Sequence, residues 1–274
     1  MGDSAKKILF VNAQMYPYLP ETPVSQMCRN LPQGIQERHK EIRAFMPRYG
    51  CINERKNQLH EVIRLSGMNI IISDVDRPLV IKVASISAAR IQVYFIDNED
   101  FFRRKSIYAD DNGKFFPDNG ERAIFFARGV LETVKKLRWA PDIIHCSGWI
   151  THVLPLYLKK AYKDDPIFSG SKVVLSLFDD IPDQSFAPGF AQTILFGGIK
   201  PRDVSLPEPC SGTELAKLAA QYADGIILGS PNVEPSLVSY SQSLGVPVLE
   251  HNAQSIADGS YMDHYNDFYD NLLK

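Results

Sequence analysis

Residues 17–24, PYLPETPV, follow an apolar run, ILFV at 8–11. They lead into a segment whose apolar positions Val24, Met27, Cys28, Leu31 and Ile35 are spaced as on one face of a helix. A strand–loop–helix unit of this kind is where α/β proteins often hold a phosphate: the helix N-terminal amides point at the anion, and glycine lets the backbone come close. This loop has the opposite chemistry. Pro20 and Pro23 have no N–H to donate, Glu21 repels a diphosphate, and no glycine is present.

Other groups carry less. His145 closes the apolar run DIIHC and reads as a hydrogen-bonded structural histidine ahead of a catalytic one. Asp179 and Asp180 follow KVVLSLF; an acidic pair with no histidine at metal-ligand spacing caps or solvates a loop more readily than it binds a cation. YADDNG at 108–113 is oxygen-rich but lacks the closing glutamate of a calcium loop, so it reads as a turn. Gly197–Gly198 follows no strand, and no G-x-S-x-G nucleophile elbow is present. Cys28, Cys51, Cys146 and Cys210 have no C-x-x-C spacing and read as reduced, mostly buried thiols of a cytoplasmic protein. These groups call for no metal and no cofactor.

The elements that must position these residues alternate. After ILFV and the first helix, which Pro32 should bend, a strand fits EIRAFM at 41–46. From 62 to 97 the texture is β-rich, with VIRL, MNIIIS, PLVIKVAS and IQVYFID read as an antiparallel insertion or sheet extension. Residues 98–119 form a long loop rich in Asp, Asn, Phe and Arg. Then come a helix near 120–137, strand DIIHC at 142–146, helix HVLPLYLKKAY, strand KVVLSLF at 172–178, and an irregular segment at 179–210. Helix GTELAKLAAQYA, strand GIILGS, a polar helix near 232–244 and strand VPVLEH complete the series. Continuous apolar strands between helices predict a Rossmann-like α/β fold, a parallel sheet with helices on both faces. Ligands of such sheets bind at the carboxyl ends of the strands, here at 12–23, 146–151, 178–184 and 230–232.

The 274 residues suffice for a substantial core, and 45% hydrophobic with 23% charged residues is ordinary for a globular chain. A net charge of −2 gives no electrostatic ground for nucleic acid or an anionic membrane. No run of 18 apolar residues exists. The opening MGDSAKK has neither a signal-peptide core nor the hydroxyl residue at position 6 that myristoylation needs.

Four segments, in order, resemble the signatures of bacterial glycogen and starch synthases: KKILFVNAQMYPYL with LPQGIQERHKEIRAFMPRYG; YFIDNEDFF with IYADDNGKFFPDNGERAIFFARGVLE; WAPDIIHCSGWITHVLPLYLK; and YADGIILGSPNVEPSL. The resemblance covers most of residues 6–250. It implies a GT-B N-terminal domain, residues 1–255, with the second, donor-binding domain absent, and a family reaction that transfers glucose from ADP-glucose to an α-1,4-glucan. It also explains the opening loop. The family's Lys-Thr-Gly-Gly falls on Pro20, Glu21, Thr22 and Pro23; its strand-end acid falls on Gln14; its Asp-Trp-His falls on Gly148, Trp149 and Ile150; and its His-Asn falls on Phe178 and Asp179. Framework positions such as Pro17, Tyr18, Pro47, Arg48, Asp97, Asn98, Asn119, Arg122 and His145 keep the family residue.

The resemblance therefore implies a domain that cannot catalyse alone, serving glucan or maltooligosaccharide recognition or the regulation of a protein partner; the competing reading is an active glucosyltransferase half completed by a separate donor-binding chain. For glucan contacts the candidates are Tyr18, Phe101, Phe102, Tyr108, Asn119 and Trp149, with Phe115 and Phe116 beside them; the alternative is that these aromatics pin the loop to the core. Residues 256–274 are expected to end in an amphipathic helix over 260–274, with Ser260 as N-cap and Asp263 completing a capping box, docked on its own domain.

Overall fold

The computed structural model describes residues 5–274; the reading of the N-terminal MGDSAKK includes residues 1–4, which lie outside this range. The first half builds β1 (Lys7–Asn12), α1 (Pro23–Glu37), β2 (Glu41–Pro47), β3 (His60–Glu61), β4 (Met68–Ile72), β5 (Val75–Ile86), β6 (Ile91–Asp97), a single turn α2 (Glu99–Phe102) and the long α3 (Asn119–Leu137). The second half builds β7 (Ile143–Ser147), α4 (Leu154–Lys160), β8 (Lys172–Leu177), short α5 (Phe190–Thr193) and α6 (Pro201–Val204), α7 (Gly212–Gln221), β9 (Gly225–Leu228), α8 (Pro235–Ser243), β10 (Val248–Leu249), α9 (Ala253–Asp258) and α10 (Tyr261–Leu272).

The strands form one sheet in the order β10-β9-β8-β7-β1-β2-β6-β5-β3, with β4 paired to β5. From β10 to β6 all pairs are parallel; β5 pairs antiparallel with β6, β3 and β4. This is a Rossmann-type order extended at one edge by an antiparallel insertion. β7 and β9 are buried at every residue, and β1 and β8 at all but the first. An unbroken buried strand requires cover on both faces, which is why these strands read as apolar runs without alternation. The order reverses between β1 and β7, so the ends of these two strands form the topological switch point.

Two local expectations are corrected. VIRL is not a strand: β3 stops at Glu61, and Val62–Leu65 turn so that Leu65 is buried while Ile63 stays 83% exposed. The Ser66 hydroxyl then accepts the Ile81 N–H that a longer strand would have taken. Ser260 does not cap α10; it is itself helical and makes no side-chain capping bond. Asp258 accepts the Ser260 N–H instead, and Asp263 is drawn to Arg38 on α1. α9 runs across position 255. Pro32 removes one hydrogen bond from α1, but the helix continues to Glu37.

The tail helix lies against the domain. Tyr261, Tyr265 and Tyr269 are buried, a stripe at i, i+4 and i+8. A Cβ at Gly34 would lie 2.2 Å from Met262 Sδ, so glycine there lets α10 approach α1. Lys40 bonds both Asn266 (2.6 Å) and Asp270 (2.9 Å) of the tail. In the core, Tyr269 shares a 2.6 Å hydrogen bond with His145 Nδ1, and Ser176 holds the other ring nitrogen at 2.6 Å. His145 is thus a structural histidine that ties β7 to β8 and to the tail.

Candidate ligand site at the strand ends

The loop after β1 positions the N-terminus of α1. Thr22 is its N-cap: Thr22 Oγ1 accepts the Ser25 N–H at 3.0 Å, while Ser25 Oγ accepts the Thr22 N–H at 2.8 Å. Pro23, the first helical residue, has no N–H. Of the amides that a phosphate would seek, those of Thr22 and Ser25 are consumed by the cap and that of Pro23 is missing. Thr22 Oγ1 also lies 3.3 Å from Gln14 Oε1, which places Gln14 beside the cap, and Pro20 and Glu21 are exposed on the loop's outer side.

After β7, Gly148 adopts φ +90°, and a Cβ there would lie 2.4 Å from Ala13 Cβ and 2.9 Å from Asp180 Oδ2. Asp180, reaching in from the end of β8, accepts the Trp149 N–H at 3.1 Å. Its other carboxylate oxygen is shielded without a hydrogen-bond partner, and burial pushes its pKa up to about 6. Ile150 is fully buried and takes part in packing, not in a surface. Next to it, His152 is fully buried with both ring nitrogens unpartnered, and burial pushes its pKa down to about 3. His152 stands at no metal-ligand or catalytic spacing to another titratable residue in the sequence, so only the fold singles it out.

Three of the named positions meet in one cavity of about 420 Å³: Pro23 from α1 with Phe178 and Asp179 from the end of β8. Asn30, Asn232, His251, Ile256 and Tyr261 line it as well. Its size suits a small ligand. The lining contains amides, the rings of Phe178 and Tyr261, the imidazole of His251 and one carboxylate, and no lysine or arginine. Asn30, His251 and Ile256 come from three separate segments, which is why spacing could not reveal them.

The proposed aromatic glucan contacts are placed elsewhere. Phe101 and Phe102 are 1% and 0% exposed and pack on Phe125, so neither ring has a free face for a sugar. Tyr18 packs edge-on against Phe95, and Trp149 lies under Tyr108, Phe115 and Phe186. Asn119 is buried, donating to the Tyr108 carbonyl at 2.7 Å and accepting from Arg122. The 98–119 loop is pinned to the core by these side chains. Among the described residues, no group of three or more His, Cys, Asp or Glu is placed to hold a metal ion, and no helix is long and apolar enough to cross a membrane.

The sequence matches the family described as "Starch synthase catalytic domain" over residues 7–252. A glycogen synthase of Chlorobium limicola is 33% identical over 98% of this chain and 55% of its own length, and one of Pelodictyon phaeoclathratiforme is 32% identical over the same shares. The chain thus spans about half the length of these curated relatives. Among solved structures, the catalytic domain of starch synthase IV from Arabidopsis thaliana, bound to ADP and acarbose, superposes with a TM-score of 0.69 over 90% of this chain and 52% of that one, at 16% identity. That likeness is one of fold.

Proposed function

This chain belongs to the starch synthase catalytic-domain family, and on that premise we propose that it recognises a neutral α-1,4-glucan or maltooligosaccharide without holding a nucleotide diphosphate at its first strand-end loop. One observation carries this reading: the N-terminus of α1 is closed on itself by Thr22, Pro23 and Ser25, next to a cavity without a lysine or arginine. A diphosphate needs donors and positive charge, whereas a neutral sugar needs amides, hydroxyls and an aromatic face. Gln26, Asn30 and Asn232 offer amides, and Phe178, itself buried, forms an apolar wall beside them. In this reading the domain acts by binding glucan, alone or while regulating a protein partner.

An activity assay tests it. Protein incubated with ADP-glucose and maltoheptaose should give no chain elongation, since losing even one transition-state donor typically costs about 100- to 1,000-fold. Elongation above background that co-purifies with the protein would favour the competing reading, a glucosyltransferase half that retains catalytic power and is completed by a donor-binding chain.

A further inference from the structure

At the antiparallel edge of the sheet, a second cavity of about 660 Å³ lies between the β4–β5 hairpin, α3 and the segment around α5. Its lining includes Ser73, Asp74, Arg128, Gln192, Thr193 and Phe196. Arg128 is the unusual member. It is only 8% exposed, yet no carboxylate lies within ion-pair distance of it among the described residues. Its guanidinium is stacked on Phe196, 3.7 Å from the ring centroid, and donates from Nη1 to the Ile71 carbonyl. Its Nε–H has no acceptor. A buried charge is ordinarily paired, because desolvation without compensation is costly.

We propose that this cavity is a binding site for a small oxyanion, a phosphate group being the best fit, with Arg128 as its cationic anchor. The stacked ring and the carbonyl fix the guanidinium plane without supplying negative charge. A guanidinium held flat in this way matches the paired oxygens of a phosphate. The exposed Gln192 has an amide at the rim for a second contact. Thr193 is committed to the Gly189 carbonyl and Ser73 to Glu121, so the anchor is Arg128 itself. Two tyrosines face it, and Tyr157 donates its hydroxyl proton to the Ile194 carbonyl. Tyr162 is held by a side-chain hydrogen bond from Arg128 and is neutral, donating its own proton to Glu132 at 2.7 Å, and Glu132 is further engaged by Lys135. Asp74, on the exposed hairpin turn, is the acidic side chain of the cavity wall, and it opposes an incoming anion from the solvent side. This site stands apart from the strand-end cavity and does not rest on the glucan reading.

The probe is inorganic phosphate, titrated at constant ionic strength against chloride. Two readouts serve: the melting temperature and the Nε–Hε resonances of the ¹⁵N-labelled arginines. Phosphate should raise the melting temperature saturably and shift one arginine Nε–Hε signal. That signal should be missing in Arg128→Lys, and phosphate should no longer stabilise that variant. Asp74 sits at φ +60°, where asparagine is well tolerated, so Asp74→Asn keeps the fold and provides an independent arm should Arg128→Lys fail to fold. Removing this exposed charge should tighten phosphate binding by about two- to fivefold. A phosphate response no larger than that of chloride, or one unchanged in both variants, overturns the proposal.

Discussion

Thr22 and Ser25 close the N-terminus of α1 on each other, the backbone N–H of each donating to the side-chain oxygen of the other at 2.8 and 3.0 Å. The same loop that lacks glycine and lysine thus also has the amides of Thr22 and Ser25 taken up by the cap. Ser25 Oγ in turn donates to the Pro20 carbonyl at 2.9 Å, which fixes the loop's path. A helix start that in related folds is a site for anions has become a structural cap.

Removing the cap should cost stability without creating a phosphate site. Thr22→Ala is expected to lower unfolding free energy by about 0.5–2 kcal/mol, which for a chain of this size is a drop of a few degrees in melting temperature. Nucleotide should give no compensating thermal shift. A variant as stable as the parent would mean that the reciprocal bonds contribute nothing.

Gly148 gives a second test. Its φ of +90° and ψ of 152° suit glycine alone, and Asp180 Oδ2 already fills the space a side chain would enter. Gly148→Asp, which restores the acid implied by the family resemblance, should lose more than about 2 kcal/mol and gain no activity. Gly148→Ala should behave in the same direction. A well-folded Gly148→Asp protein with the parent's denaturation midpoint would contradict this geometry.

Much of this was legible in advance. Strands β1, β7 and β8 are mostly apolar runs without alternation, so their burial followed directly. The loop's unsuitability for phosphate was readable from Pro20, Glu21 and Pro23. What was not legible depended on which way side chains face. Phe101 and Phe102 look like stacking platforms in a polar loop, but the turn of α2 aims both at Phe125. Asp263 has capping-box spacing, but Arg38, 225 residues away in sequence, holds it more strongly. Asp180 could not be known to occupy the void over Gly148, since that juxtaposition joins the ends of two strands.

The buried titratable groups set a pH dependence of stability. His145 and His152 are held near pKa 3 by burial, below the ordinary 6.5. The unfolded chain therefore gains protons that the folded one refuses as pH falls from 6.5 towards 3, and stability drops. Asp180, raised from 3.8 to about 6, acts oppositely: the folded state binds its proton first, so acidification through that window favours folding. One histidine is thus offset between about pH 6 and 4, and the fall steepens below 4, each unopposed proton contributing about 1.4 kcal/mol per pH unit. His152→Leu should flatten the profile and leave stability at pH 8 equal or slightly higher, because no hydrogen bond is lost. Urea midpoints measured from pH 4 to 8 decide this; an unchanged slope would show that His152 is not held neutral.

The tail should behave as part of the core. Tyr269→Phe removes the bond to His145 Nδ1 and should cost about 1–3 kcal/mol. Deleting 260–274 uncovers His145 and should lower the melting temperature sharply and expose dye-binding surface, with oligomeric state unchanged. A truncated protein of undiminished stability that loses a dimer in light scattering would make the tail an assembly device instead.

The central claim is that this family member has exchanged diphosphate recognition for recognition of a neutral sugar at the strand ends. Calorimetric titration of the full chain, in one buffer, with maltoheptaose, ADP and ADP-glucose tests it most directly. The account predicts saturable binding of maltoheptaose, weakened by Phe178→Ala, and no binding of either nucleotide. ADP or ADP-glucose binding as tightly as maltoheptaose, or more tightly, would contradict it.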